Sequence, residues 1–262
     1  MTTEELRSSF LLSGLFTPGQ LSLRITDLDR AVIGGVVPLD TPLTLEAPDA
    51  LRAEFFTERR EVGILNIGGD GTVAADGKRF DMRARDVLYV GRGTRDISFE
   101  SRDSSNPARF YMISYPSHAS HPAELVTSDK ASMSELGTTE RANRRRIYRY
   151  IHADGAKSGQ LVMGVTVLEP GSVWNTMPAH THARRTEVYL YFDLPADSIV
   201  VHLMGEPDQL RSMIVRDGDV ALSPGWSVHS GCGTSAYSFC WAMGGENQDY
   251  ADMQPVQMET LR

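Results

Sequence analysis

Cysteine is scarce in this chain: Cys232 and Cys240 are the only two among 262 residues. Two cysteines do not make a disulfide framework, and their scarcity suits a reducing compartment. Long apolar runs are missing as well. No stretch approaches the roughly 18 apolar residues that a membrane helix needs. The start, MTTEELRSSFLLSG, lacks the basic beginning, apolar run and small-residue cleavage site of a signal peptide. These absences place the protein in the cytoplasm. Positive charge is also short, with 26 Lys and Arg against 34 Asp and Glu, a formal net charge of −8. An acidic chain is a poor default binder of nucleic acid, so neither nucleic acid nor membrane is expected as a partner. A small anionic substrate would have to be captured by local arginine or metal charge. No helical pair suitable for a helix-turn-helix is visible, which weighs against a sugar-sensing regulator.

What is present reads as strands. Apolar residues make up 41% and charged residues 23%, an ordinary soluble composition in a chain long enough to bury a core unaided. Thr2 and Glu5 have capping-box spacing, so a short N-terminal helix is expected, with Gly14 as its stop. After it, GILNIGG, GTVAADG, DVLYVG and RFYMISY are short β-rich runs punctuated by Gly, Asp and Ser. The segment 117–146 is polar with little β signal and reads as a connection. Strand patterns return in QLVMGVTVLEPG, EVYLYFDL, SIVVHLMG, MIVRDGDVALS and YSFCWAMGG. The chain is therefore expected to be all-β, with one strand-rich domain at 1–116 and another at 147–262, at a strand spacing that suits barrels or sandwiches. The halves resemble each other. Arg59-Arg60-Glu61-Val62 matches Arg185-Thr186-Glu187-Val188, and Asp86-Val87 parallels Asp219-Val220. A repeat this long points to domain duplication.

The segment PAHTHARRTE carries the strongest chemical signal. His180 and His182 stand two apart, which on a strand puts both imidazoles on one face. Glu187 lies at an odd separation from His182, so the chain must bend at 183–186 for the carboxylate to return. His229 follows a Pro224-Gly225 turn. Three neutral imidazoles and a carboxylate suit Zn, Fe, Mn, Ni or Cu and leave room for a further ligand. HxHx4E followed by Gly-x5-Pro-x4-His resembles the two cupin motifs. In the first half Glu61 keeps the carboxylate, but Glu54 and Phe56 stand in place of histidines and Asp96 in place of His229. That half is expected to be metal-free, with Glu61 paired to Arg59 or Arg60.

The strings ERREVGILNIGG, RDVLYVGRG, NRRRIYRYI, VWNTMPAHTHARRTEVYLYF and SPGWSVHSGCGTSAYSFCWAMGGENQ together resemble the 5-dehydro-4-deoxy-D-glucuronate isomerases. These are also called 4-deoxy-L-threo-5-hexosulose-uronate ketol-isomerases, and they serve bacterial pectin breakdown. The resemblance runs from RAVIGGVVP to the C-terminus. It implies a bicupin, one zinc ion per chain held by His180, His182, Glu187 and His229, and a homohexamer.

The implied reaction isomerises 5-dehydro-4-deoxy-D-glucuronate to 3-deoxy-D-glycero-2,5-hexodiulosonate. It calls for an electrophile, a proton carrier and a clamp on the uronate carboxylate. The metal is the electrophile. Arg184 and Arg185 flank the ligands, and one of them is the expected clamp, with Arg184 read as substrate-binding and Arg185 as catalytic. Glu187 and Tyr189 are the candidate proton carriers. Tyr189 and Tyr191 share the face of Glu187 and should point inward, Tyr191 towards substrate. Trp226 and Trp241 are candidate pocket walls, Trp226 as a substrate contact. Glu246 and Asn247 are further polar candidates. The basic run RANRRRIYR reads as a linker face or subunit interface, and Cys232 as packing. Alternatives are 5-deoxyglucuronate isomerase, a related bicupin, and an iron-dependent cupin dioxygenase.

Overall fold

The computed structural model describes residues 1–246 and 249–262. Among them one α-helix is present, Thr3–Phe10, and the rest is strand, turn and short 3-10 segments. The capping box closes as expected. The Glu5 amide donates to Thr2 Oγ1 at 3.3 Å, and the Thr2 amide to Glu5 Oε2 at 2.7 Å. The helix ends at Phe10, before Gly14, because Leu11 and Leu12 go straight into a strand paired with Ala221 and Val220.

The chain divides into two compact units. They interleave instead of following one another. One comprises 15–131 and 150–162, the other 1–14, 132–149 and 163–262. The segment 117–146 is not a bare connection. Glu124–Val126 pairs with Val87–Val90 in the first unit, and Ser132–Leu136 pairs with Arg145–Ile151 in the second. Both are edge strands without a fully buried side chain, which is why their composition looks like loop.

The first unit stacks a six-stranded sheet on a four-stranded one. The six run in the order Glu124–Val126, Val87–Val90, Arg60–Asn66, Phe110–Pro116, Val32–Val36 and Leu21–Ile25. Phe56, Val62, Ile64, Leu88, Phe99 and Phe110 meet in its core. Phe56 is thus a packing residue at the place of a ligand. Glu61 is fully buried but does not pair with Arg59 or Arg60. Its carboxylate accepts from Tyr89 Oη at 2.8 Å and from the backbone amides of Gly159, Gln160 and Leu161, the last two at 2.7 and 2.8 Å. Glu54 is exposed and contacts Arg95 at 3.4 Å, and Asp96 is exposed.

The second unit has a seven-stranded sheet with Arg185–Phe192 near its middle, between Val220–Ser223 and Ser238–Gly245. All eight residues of Arg185–Phe192 are buried, so both faces of that strand are covered. A three-stranded sheet orders Arg211–Val215, Val200–Gly205 and Val228–Gly233. A short ladder pairs His180–Thr181 with Gln254–Pro255.

Candidate metal centre

Three segments of the second unit bring four side chains to one point. His180 sits on the short strand His180–Thr181, and His182 follows it directly. The chain then turns at Ala183 and Arg184 before Arg185–Phe192 begins, which returns Glu187 to the same side. His229 comes from Val228–Gly233. Gly225 lets the turn before His229 close on the first ligand loop. A Cβ there would lie 2.8 Å from the carbonyl of His182 and 3.0 Å from that of Arg185.

The ligand atoms of His180, His182, Glu187 and His229 all lie within 4.8 Å of one another. His180 Nε2 is 3.1 Å from both His182 Nε2 and His229 Nε2. Glu187 Oε2 is 3.0 Å from His182 Nε2 and 2.8 Å from His229 Nε2. The outer ring nitrogens decide the tautomers. His182 Nδ1 stands 3.0 Å from the carbonyl of Asp252, and His229 Nδ1 3.2 Å from that of Ser227. A carbonyl only accepts, so both protons sit on Nδ1 and both Nε2 lone pairs face inward. Glu187 Oε2 is then a buried oxygen without a hydrogen-bond donor. Inward lone pairs converging with an orphaned carboxylate oxygen are what a divalent cation satisfies, so the residues fit a metal ion.

The electrostatics favour a neutral His180 and an ionised Glu187, while His182 is drawn towards its protonated form by that carboxylate. Burial, helped by His229, pushes His180 down to about 3. Burial also acts to lower His182, but the Glu187 carboxylate outweighs it and raises that ring. For Glu187 burial works upward, yet His229 and His182 hold it well below the usual carboxylate range.

A cavity of about 200 Å³ opens beside the cluster. Tyr189 lines it, as its place on the strand required, and its hydroxyl lies 2.9 Å from Thr176 Oγ1. Burial, reinforced by Glu187, raises the phenol well above its ordinary value. Tyr191 faces the same way but lies deeper, outside the cavity lining, with its hydroxyl 2.6 Å from His202 Nδ1.

Three expected substrate residues fall elsewhere. Arg184 is exposed at the turn, where its guanidinium pairs with Glu246, and neither lines the cavity. The Arg185 side chain is buried behind the ligands. It donates to the Tyr250 carbonyl at 3.3 Å and stands 3.7 Å from Asp252, whose own carbonyl receives the His182 proton. Arg185 therefore positions a ligand and does not reach the cavity. Trp226 belongs to the turn before Val228 and is 52% exposed, beside Leu6, Phe10 and Met204. Trp241 is the tryptophan that walls the cavity, with its Nε1 donating to Thr166 Oγ1 at 3.1 Å. Asn247 lies outside the described residues.

The cavity also gathers residues that were not singled out for it. Arg145, Thr176 and Tyr250 line it. Arg145 is half-buried, donates to the Asn143 carbonyl at 2.8 Å, and has no carboxylate partner among the described residues. Burial lowers its pKa, while Tyr189, Tyr250 and Tyr237 oppose the shift.

A family model described as KduI/IolB matches residues 18–258. The chain belongs to the KduI/IolB family. Relatives named 4-deoxy-L-threo-5-hexosulose-uronate ketol-isomerase are 51% identical in Halalkalibacterium halodurans and 53% identical in Opitutus terrae. The first match covers 100% of this chain and 95% of that protein, the second 99% and 94%. Among solved structures, an IolB-like protein of Salmonella typhimurium aligns with a TM-score of 0.74 at 13% identity, over 94% of this chain and 96% of that one. Oxalate decarboxylase of Lactobacillus farciminis aligns at 0.62 and 12% identity, over 94% and 89%. Likenesses this remote carry the fold alone: an all-β pair of cupin-type barrels with a short N-terminal helix. The family name spans both the ketol-isomerases and the IolB-like proteins, so family membership by itself does not choose between the two sugar-acid readings.

Proposed function

We propose that this protein is a zinc-dependent ketol-isomerase that converts 5-dehydro-4-deoxy-D-glucuronate to 3-deoxy-D-glycero-2,5-hexodiulosonate in pectin and uronate breakdown. The observation that carries the choice of substrate is the contrast in relatedness. Full-length relatives near half identity bear the ketol-isomerase name, whereas the IolB-like structure stands at 13%. The site supports the same reading. A divalent ion held by His180, His182, Glu187 and His229 would supply Lewis acidity to the substrate carbonyl. Three imidazoles and one carboxylate, with no oxygen-rich cage, favour zinc over calcium or magnesium.

The remaining work falls to the chain's own side chains. Arg145 offers at the cavity wall a guanidinium with no carboxylate partner among the described residues, and a planar fork suits a uronate carboxylate. Tyr189 keeps its phenolic proton, so it serves as a hydrogen-bond donor to a substrate oxygen, aimed by Thr176. Glu187 stays ionised between two imidazoles, so its part is to hold the ion. Trp241, Phe239, Met243 and Met253 give the cavity apolar walls that limit water. The same reading takes the protein as a cytoplasmic homohexamer that binds neither nucleic acid nor membrane. The two free cysteines accord with a reducing compartment, and light scattering tests the hexamer.

The direct test is metal analysis followed by an anaerobic assay on the keto-deoxyuronate from lyase-digested polygalacturonate. Product should form without oxygen or nucleotide, and faster than with 5-deoxyglucuronate. An enzyme fully loaded with metal that yields no product would sink the assignment, and turnover that requires oxygen would point to a dioxygenase.

A further inference from the structure

Within the unit formed by 15–131 and 150–162, a second cavity of about 380 Å³ is lined by Arg30, Arg59, Arg60, Arg92, Ser117 and His118, together with Leu51, Ala53 and Pro116. Four guanidiniums around one cavity are unexpected in a chain of net charge −8. Ordinarily such a group would be neutralised by carboxylates. Among the described residues only Arg59 has one here, Glu58 at 2.8 Å.

Arg60 and Arg92 are held by neutral oxygens. Arg60 is only 7% exposed. Its Nε donates to Ser114 Oγ at 3.0 Å, and its Nη2 to the carbonyls of Arg30 and Ser114 at 2.7 and 2.9 Å. Arg92 donates to the carbonyls of Glu58, Ser117 and His118 at 3.1, 3.3 and 3.3 Å. These bonds fix the guanidinium planes without cancelling their charge. Burial, with Arg30 beside it, lowers Arg60 to about 10, so it stays charged at neutral pH. A buried, fixed and uncompensated cation is costly unless something supplies the counter-charge. The backbone is bent to build the place: Asp29, Arg30 and Arg52 all adopt positive φ, at 46°, 51° and 48°. The carbonyls of Arg30 and Arg52 are the ones that meet Arg60 and Arg59.

We propose that this arginine cavity binds the phosphoryl group of a small metabolite. A carboxylate would bring one negative charge to a site with an excess of three. A phosphate monoester brings nearly two, together with three acceptor oxygens that suit forked donors. The volume is that of a small-molecule site. The inference does not rest on the isomerase reading, since none of these residues belongs to the unit that carries the metal cluster.

Titration calorimetry on the intact, metal-loaded protein tests it, using inorganic phosphate and glucose 6-phosphate, with galacturonate as the carboxylate probe, at matched ionic strength. A phosphoryl probe should bind at one equivalent per chain, and Arg60→Met should weaken it at least about tenfold. If Arg60→Met melts, the double variant Arg30→Met Arg59→Met replaces two exposed side chains and should show the same loss. Arg79→Met, an exposed pair with Glu100 on the same unit, should change nothing. No saturable heat up to about 10 mM, a range that includes weak metabolite sites, would overturn the proposal. So would equal affinity for galacturonate, or unchanged binding in a folded arginine variant. Loss of oligomers in Arg59→Met without any phosphate binding would also overturn it, by assigning the arginines to contacts between copies.

Discussion

His182 and His229 each commit one ring nitrogen to a backbone carbonyl, and that commitment aims the other nitrogen at the cavity. The aim is set before any ion arrives, so losing one ligand should not be repaired by its neighbours. His229→Ala is expected to lose most of the bound metal on elemental analysis, and metal retention at the wild-type level would contradict the ligand assignment. Arg145 is the second residue whose role can be isolated. Arg145→Met should leave metal content unchanged and lower kcat/KM on the uronate by at least about tenfold, the lower end of what a buried charge pair contributes. A change under twofold would place the clamp elsewhere. The ligands were legible in the sequence because their spacing is tied to strand geometry. Arg145 was not, because it lies in a run of arginines that looks like a solvated face. Strand alternation sorts that run. Arg145 and Ile147 face the cavity, whereas Arg144 and Arg146 turn the other way towards Glu135 and Glu169. Trp226 misled for the opposite reason, since adjacency to His229 in a turn says little about facing.

Among the elements, the strands Arg60–Asn66 and Arg185–Phe192 do unlike work at matched places in the two repeats, and the second of them leans on the Pro224-Gly225 turn. Gly225→Ala should press a methyl against the carbonyls of the ligand loop, costing about 1–3 kcal/mol and weakening metal retention. Chemical denaturation with and without metal reads both effects. Glu61 occupies the position of the ligand Glu187, yet its oxygens close three backbone amides of the 159–161 segment and the Tyr89 hydroxyl. Glu61→Ala should therefore leave metal at the wild-type level and destabilise the fold by about 3 kcal/mol or more, because several buried donors lose their acceptor together. Loss of metal in that variant would show that the first repeat takes part in the site. The repeat itself could be read from the sequence, as could most strands, because both faces of the central ones are apolar. The edge strands Glu124–Val126 and Ser132–Leu136 could not, because edge pairing leaves side chains in water and the composition then reads as loop.

Across the whole molecule, two buried histidines make the fold sensitive to acid. Burial lowers both His180 and His202 to about 3, from an ordinary value of 6.5. Below about 6.5 the unfolded chain binds these protons and the folded chain does not. Stability is therefore full above that value and falls as pH drops towards 3, by about 1.4 kcal/mol per pH unit for each histidine. The urea midpoint should fall between about pH 7 and pH 5, and His202→Gln should make that fall shallower. An unchanged slope would mean that His202 is protonated in the native state. Chelation should lower the melting temperature, since an ion that binds only the folded form stabilises it.

The chain's last residues bear on when this protein can become active. Gln254–Pro255 pairs with His180–Thr181, the Val256 amide donates to the Ala179 carbonyl at 3.0 Å, and the Asp252 carbonyl orients His182. During synthesis the first histidine is made long before the strap that aligns it. The acceptor that sets the His182 tautomer, at residue 252, is made after all four candidate ligands. A chain stopped short of residue 252 should therefore hold His180 and His182 less firmly, and maturation of the cluster should wait on its last stretch of sequence.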